Sequence, residues 1–285
     1  VAGRMERESV AAYANGAKAV VEQRFRFGES TLTQKIVLHA GERIVRFETE
    51  ADWRESGKML RASFPVDVRA DQVNCEIQFG SLQRQTHRNT RHDFAKDEIC
   101  AHQYIDLSQP DYGVSLLNDS KYGFSALGNV LDIHLLRSPS YPDPQADRAV
   151  HRFVYALYPH EGDYVSARTY RKGYELNSPL TAFAAGSADR QEPSTFGGSL
   201  VRIDSPHVML EAVKKAEDSD DLIVRLYETS GTRAEANFTF GTTYAAIDEV
   251  DLMENQVARL GENTDAAKLP FGPFEIRTLG LTLRR

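Results

Sequence analysis

Alternation of apolar and polar residues with a period of two constrains this chain more than any other feature of its sequence. The segment LRASFPVDVR, residues 60–69, alternates along its whole length. A period of two places the apolar side chains on one face of a strand, whereas a helix would scatter them around its axis. Pro65 falls on the polar side of the pattern, which indicates an edge strand or a bulge.

Segments with the same strand pattern recur about every ten residues, a spacing typical of β-sandwiches and barrels. Residues 33–50 predict a hairpin with its turn at 40–42 and with Val45, Phe47 and Thr49 on one face of the second strand. The other predicted strands are 73–79, 112–117, 130–136, 151–158, 200–203, 208–213, 222–227, 234–240, 245–251 and 274–283. We therefore predict an all-β chain.

Helical signals are few, and one segment indicates a domain boundary. Residues 6–21 are a helix candidate that Asn15-Gly16 interrupts, and residues 163–175 are a second candidate that contains Gly173. Residues 181–198 are rich in Ala, Gly, Ser, Thr and Pro and lack apolar periodicity, as expected for a linker. We predict a large β domain over 1–195 and a smaller β-sandwich over 196–285.

Composition excludes several classes of protein. Lys plus Arg number 34 against 41 Asp plus Glu, a net charge of −7 that argues against nucleic-acid and anionic-membrane partners. No apolar run approaches the roughly 20 residues of a membrane-spanning helix. Cys75 and Cys100 lack disulfide or zinc-ligand spacing, so we expect both to be free and buried. Because the chain begins at Val1 without an initiator Met, we expect it to be cut from a longer protein.

Three polar segments carry the candidate functional residues, and the chain has none of the common catalytic motifs. Segment 79–98 is either a solvated surface or a rim that presents Arg and His to a polyhydroxylated ligand or to a neighbouring module. Its charged side chains are Arg84, His87, Arg88, Arg91, His92, Asp93, Lys96, Asp97 and Glu98.

The other two segments follow predicted strands. Segment 116–129 contains Asn118, Asp119, Lys121 and Tyr122, which are residues that recognise sugars and also residues that make a tight turn. Segment 137–153 contains three prolines and is predicted to be an ordered connection. Its acids and His151 would share one face only on a helix, which the prolines oppose, so we expect no metal site there.

Several motifs together resemble the C-terminal half of class II α-mannosidases, glycoside hydrolase family thirty-eight, in the cytosolic and bacterial branch. The resemblance covers residues 20–283 and is carried by ADWRESGKMLRASFPVDV, FGSLQRQTHRNT, LLNDSKYG, LLRSP and RLYE. It implies a large antiparallel mannosidase β-sandwich followed by a smaller β-sandwich. The family's catalytic Asp and zinc ligands lie on an N-terminal barrel that matches nothing in this chain, so the resemblance implies no catalytic or metal-binding residue here.

The resemblance also implies that loops of the large sandwich help to line the sugar cleft. It places Asn118, Asp119, Lys121, Tyr122 and Arg137 as substrate-contacting candidates. The implied function is the non-catalytic C-terminal part of a retaining cytoplasmic α-mannosidase, whose partners are its own catalytic barrel and a mannoside, with zinc in the full-length enzyme. One alternative is a free-standing carbohydrate-binding β-sandwich, and another is a structural module that makes homo-oligomer contacts.

Overall fold

The computed structural model describes residues 2–96, 98–182 and 199–284. Strands predominate, which confirms the predicted all-β class. The chain forms two compact units, one of Val1–Ile77 with Leu82–Pro179 and one of Gln78–Ser81 with Leu180–Arg285. The boundary predicted near residue 195 lies outside the described residues, so the division into 1–195 and 196–285 stays a prediction.

The first unit is a sandwich of two antiparallel sheets. A nine-stranded sheet has the order β1-β2-β3-β4-β13-β10-β9-β6-β7, and a four-stranded sheet has the order β5-β12-β11-β8. Side chains from both sheets, among them Phe47, Ile105, Phe124 and Ile133, form one buried core. The elements are β1 Glu6–Asn15, β2 Lys18–Phe27, β3 Ser30–His39, β4 Val45–Asp52, β5 Leu60–Pro65, β6 Gln72–Ile77, β7 Gly80–Gln85, α1 Arg91–Phe94, β8 Ile99–Cys100, β9 Tyr104–Ser108, β10 Tyr112–Asn118, β11 Gly123–Leu127, β12 Val130–Leu136, β13 Val150–Glu161 and α2 Thr169–Asn177.

The helix predicted over residues 6–21 is wrong. These residues form a hairpin of β1 and β2, with Asn15 paired to Lys18 around a turn at Gly16. Gly16 has a φ of +38°, which a glycine adopts without strain. Asn-Gly is a preferred two-residue hairpin turn, so the feature that interrupts the helix pattern is the signal for the correct structure. All residues of β1 are exposed, and the strand therefore lacks the apolar alternation that identifies the others.

The predicted hairpin of residues 33–50 is confirmed. Strands β3 and β4 pair antiparallel, with Leu38 opposite Val45 next to the turn. The strand predicted from residue 60 ends at Pro65, and β5 is an edge strand of the smaller sheet, as the proline indicates. Proline has no backbone N–H to donate to a neighbouring strand, and an edge strand tolerates this because one of its sides has no partner strand.

Two polar or helical segments differ from the prediction. Segment 79–98, for which no strand or helix is predicted beyond residue 79, contains strand β7 and the short helix α1. The second predicted helix begins at Thr169 instead of residue 163 and ends at Asn177. Gly173 is buried in this helix, and an added Cβ would lie 2.8 Å from Oε1 of Gln103. Gly173, which weakens the helix pattern in the sequence, therefore permits α2 to approach the sandwich closely.

The second unit is built on one curled sheet with the order β14-β17-β19-β16-β15, and β18 pairs with β17. Strand β17 joins the two predicted strands 234–240 and 245–251, and its register shifts between Thr239 and Tyr244. Its first half pairs with β14 and its second half with β19, so the sheet curls around the core that contains Phe238 and Ile247. The strands are β14 Val201–Ile203, β15 Val208–Lys215, β16 Leu222–Glu228, β17 Ala234–Val250, β18 Gln256–Phe271 and β19 Ile276–Leu283.

Candidate functional site

Asn118 shapes the turn at the start of the predicted sugar-contacting segment. It ends β10 and is 1% exposed. Its Nδ2 donates to the carbonyl of His102 at 2.6 Å, and its Oδ1 accepts from the backbone N–H groups of Ser120 and Lys121. Asn favours such turns because its side chain replaces a backbone acceptor. The contacts of Asn118 lie within the protein, and its role toward substrate stays a prediction.

Lys121 connects two of the three polar segments. Its Nζ lies 4.5 Å from the centroid of the Phe153 ring, a cation–π distance. Burial lowers the pKa of Lys121, against the opposing charges of Asp119 and Asp147. The carboxylate of Asp119 accepts from the backbone N–H of Val154 at 3.0 Å. Segments 116–129 and 137–153 therefore meet at Lys121.

Asp147 fixes the proline-rich segment. Its Oδ2 accepts from the backbone N–H groups of Arg137 at 3.0 Å and Ser138 at 2.8 Å. Ser138 is fully buried with a φ of +50°, its Oγ accepts from the indole N–H of Trp53, and its carbonyl accepts from Gly57 at 2.8 Å. Residues 137–149 are thus an ordered connection outside the strands, as predicted, and β13 begins at Val150. Sequence spacing offers Asp147 only as a candidate metal ligand and gives no signal for this backbone-holding role.

Burial by itself would raise the pKa of Asp147. The backbone donors of Ser138 and Arg137, together with the nearby charges of His151 and Lys121, outweigh burial and bring the pKa below its usual value. A carboxyl group that acts as a general acid needs a raised pKa, so Asp147 is unsuited to that role. Its carboxylate is suited to holding backbone and cations in place.

Tyr122 and Arg137 are the exposed members of the predicted set. Tyr122 is 61% exposed, and its ring meets His102 edge-on at a centroid distance of 5.4 Å. The Arg137 side chain is exposed, and its guanidinium has no hydrogen-bond or ion-pair partner among the residues that the structure describes. Lys121, Tyr122 and Arg137 together offer cationic donors and a ring face, which suits binding of hydroxyl groups and the C–H face of a sugar.

The charged residues of segment 79–98 occupy a different place. A cleft of about 330 Å³ is lined by side chains from this segment, among them Arg84, His87, Arg88, Asp93 and Lys96. Arg91 and His92 are exposed on α1, Glu98 is exposed near β8, and Asp97 lies outside the described residues. The lining of this cleft includes none of the five predicted sugar-contacting residues.

Three or more His, Cys, Asp or Glu side chains placed to hold a metal ion do not occur among the described residues. A catalytic zinc site takes three protein ligands, so the described residues do not fit the zinc that the resemblance implies for the full-length enzyme. Cys75 is buried and free as expected, and burial raises the pKa of its thiol to about 12. Cys100 is also free but exposed, so its predicted burial is wrong. None of the described helices is long and apolar enough to cross a membrane.

Two buried carboxylates, Asp106 and Glu228, are not among the residues predicted from the sequence. Asp106 is fully buried, and its Oδ2 lies 2.7 Å from Nε2 of His160. Glu228, the last residue of the RLYE motif, is also fully buried and accepts backbone N–H bonds from residues 230–232 and from Phe274. The sequence signal for such a residue is an acid within or directly after an apolar strand. Burying that acid is costly unless its carboxylate is paired.

Comparisons with known proteins agree with the fold. A model described as the glycosyl hydrolases family 38 C-terminal domain matches residues 2–145, and one described as the C-terminal beta sandwich domain of that family matches residues 207–279. Alpha-mannosidase 2C1 of Mus musculus is 41% identical over 90% of this chain and 25% of its own length. Alpha-mannosidase G of Dictyostelium discoideum is 38% identical over 88% of this chain and 23% of its own length.

Solved structures show the same architecture. An alpha-mannosidase from Enterococcus faecalis V583 aligns with a TM-score of 0.79 at 16% identity, over 97% of this chain and 35% of that one. This chain spans about a quarter of the length of the curated relatives it matches. The family model that matches residues 2–145 covers half of the chain. Because this match covers half of the chain and a second model of the same family matches residues 207–279, this chain belongs to glycosyl hydrolase family 38.

Proposed function

We propose that this chain acts as the C-terminal, non-catalytic part of a retaining α-mannosidase, and that the region around Lys121 helps to line the sugar cleft. One observation carries the proposal: segments 116–129 and 137–153 converge, with Lys121 of the first over the Phe153 ring of the second. Within the second segment, Asp147 holds the backbone of Arg137. The names of the 41% and 38% identical relatives support the substrate class.

Each predicted site residue has a distinct role in this proposal. Lys121 and Arg137 donate hydrogen bonds to sugar hydroxyl groups, and Tyr122 offers its exposed ring to a sugar face. Asp119 holds the loop against β13 through the backbone of Val154, and so it positions Lys121. Asn118 sets the turn from which these side chains project.

The partners and cofactor follow from the same proposal. Catalysis requires a barrel that supplies the nucleophile, the acid–base carboxylate and zinc, and the mannoside binds between that barrel and this chain. We place the protein in the cytoplasm, without nucleic acid or membrane partners, consistent with the net charge of −7. Self-association into a homo-oligomer completes the proposed set of contacts.

The first test uses the chain alone with zinc and an aryl α-mannoside. We expect no turnover, because the described residues hold no zinc-ligand set, and Asp147, the acid near Lys121, has a pKa held below its usual value. Robust hydrolysis would overturn the assignment of catalysis to another part of the enzyme. Titration with mannose oligosaccharides distinguishes the proposed mannosidase part from a free-standing carbohydrate-binding module. A Kd of about 1 mM or tighter for the chain alone would favour the binding module.

The second test joins this chain to the N-terminal part of the 41% identical mouse relative, in place of that protein's own C-terminal region. We expect the chimera to hydrolyse the aryl α-mannoside, and Lys121→Met to reduce kcat/KM roughly tenfold or more, as loss of a charged hydrogen bond does. Met retains the aliphatic contact with Phe153 and removes the charge. The matched control is Lys18→Met on the β1–β2 hairpin, and equal activity of the two variants would refute the role of Lys121.

A further inference from the structure

The cleft in the first unit that contains Arg84 and His87 is unexplained by the proposed mannosidase role. Its walls come from β6, β7, the segment that contains α1, and the end of β11. Its volume of about 330 Å³ lies within the range of small-molecule sites. The cleft is large enough for a ligand of several heavy atoms in place of ordered water.

The charge that faces this cleft is predominantly positive. Arg84, Arg88 and Lys96 line it, and Asp93 is the lining acid. Asp93 is committed to the helix cap, because its Oδ2 accepts from the backbone N–H groups of residues 89 and 90 at 3.0 and 2.8 Å. The cleft therefore presents cationic donors to a ligand from a chain whose net charge is negative.

Two polar atoms in the lining lack a hydrogen-bond partner among the described residues. Nε of Arg84 and Nδ1 of His87 are buried, and neither makes a hydrogen bond within the structure. A buried donor without an acceptor is costly, and most such groups in folded proteins are satisfied. An oxyanion in the cleft would accept from the Arg84 guanidinium and from an Nδ1–H of His87. Guanidinium and phosphate groups form particularly strong charge-assisted bonds.

The other residues that line the cleft suit the uncharged part of a polar ligand, beyond its oxyanion. Gln72, Gln83 and Gln85 supply amide donors and acceptors, which suit hydroxyl groups. Ile99 and Leu127 supply an apolar wall against which a C–H face packs. This combination of a cationic end, amides and one apolar wall matches a phosphorylated monosaccharide better than a simple inorganic ion.

We propose that the Arg84–His87 cleft binds a phosphomonoester of monosaccharide size, with the phosphate held by Arg84 and His87 and the sugar hydroxyls held by the glutamines. This site is distinct from the region around Lys121 and shares no lining residue with it. Its occupancy does not depend on the catalytic barrel, so it is tested on this chain by itself. Failure here leaves the mannosidase proposal unaffected, and the reverse also holds.

The experiment is isothermal titration of the full chain with three probes: hexose 6-phosphate, the same hexose without phosphate, and inorganic phosphate. We expect hexose 6-phosphate to bind most tightly and the neutral hexose not to bind below about 10 mM. Arg84→Gln should weaken binding roughly tenfold or more, as loss of a charge-assisted hydrogen bond does. Arg91→Gln is the matched control, because Arg91 is exposed on α1 and does not line the cleft.

Thermal unfolding separates a binding defect from a folding defect. Because Nε of Arg84 has no hydrogen-bond partner in the described part of the chain, Arg84→Gln should leave the Tm without ligand unchanged while it removes the Tm increase caused by hexose 6-phosphate. Equal weakening by Arg91→Gln would indicate general charge attraction and overturn the site. Absence of binding by hexose 6-phosphate, or equal binding by the neutral hexose, would overturn it as well.

Discussion

Asp106→Asn should remove the anion that stabilises a buried imidazolium in the first unit. Asp106 is fully buried in β9, and His160 on β13 is 3% exposed. The carboxylate takes three side-chain contacts, at 2.8 Å from Ser108 Oγ, 2.6 Å from Ser115 Oγ and 2.7 Å from Nε2 of His160. Ser115 in turn contacts Thr169 at 2.9 Å, so the network reaches α2.

The expected magnitude follows from these contacts. Removal of one partner from a buried ion pair costs about 3–5 kcal/mol, because it leaves the other charge buried without compensation. The asparagine amide also places a donor where Ser115 or His160 now donates. We expect the free energy of unfolding to fall by about 3–5 kcal/mol when His160 is protonated in the native state.

The pH dependence has a definite sign. Burial lowers the pKa of His160, but the hydrogen bond and charge of Asp106 outweigh burial and raise it above its usual value. The Asp106–His160 pair therefore contributes its full stability below about pH 6.5, the pKa of histidine in the unfolded chain. This stability declines as the pH rises through the pKa of His160 in the folded protein. At high pH, neutral His160 can accept from the new amide, so the loss caused by Asp106→Asn should shrink to about 1–2 kcal/mol.

Urea unfolding monitored by tryptophan fluorescence measures this effect. The single tryptophan, Trp53, is 2% exposed and belongs to the same unit as Asp106, so its emission reports that unit. The control is Asp71→Asn at an exposed position, which should change the free energy by less than about 0.5 kcal/mol at each pH. A loss below about 1 kcal/mol at low pH, or a loss that grows as the pH rises, would refute the assignment of a buried ion pair.

Two other substitutions test structural roles. Glu228→Gln should destabilise the second unit by about 2–4 kcal/mol, because the buried carboxylate accepts backbone bonds from residues 230–232 and Phe274. Burial by itself would raise the pKa of Glu228, but the hydrogen bonds outweigh burial and hold the pKa below its usual value. The stability that Glu228 contributes is therefore lost as the pH falls. Faster hydrogen exchange at residues 228–232 in the variant measures this loss. Gly113→Ala should cost about 1–3 kcal/mol in urea unfolding, because the added Cβ would lie 2.6 Å from Ser108 Cβ and against the His160 ring. An unchanged urea midpoint would contradict the close packing at Gly113.

Several features could be predicted because their signals are local. The hairpin of β3 and β4 follows from alternation on both sides of a Gly-containing turn, and the position of β5 at an edge follows from Pro65. The error at residues 6–21 has a local cause too. Strand β1 is exposed along its whole length, so no burial pattern marks it, and only Asn15-Gly16 identifies the hairpin.

Other features have no local signal. Strand β18 is mostly exposed and carries mixed polar residues, so its identity as a strand depends on its partner β17. The two predicted strands within β17 are one strand because its halves pair with different neighbours on the two sides of a bend. In the candidate site, the chemistry of Asn118 suits sugar recognition, yet its side chain bonds to the turn backbone at Ser120 and to the carbonyl of His102.

Residue patterns and motifs are enough to assign the all-β class, the faces that many strands bury, the ordered proline-rich connection and membership of the mannosidase family. These depend on residue period, turn chemistry and motif identity, all of which are local properties. Tertiary structure decided that Lys121 meets Phe153, that Asp147 holds the backbone of Arg137, and that Asp106 pairs with His160. The physical reason is that a period-two pattern states which face of a strand is buried but not which strand lies beside it. Long-range pairing, such as that of β10 with β13, therefore places these side chains together.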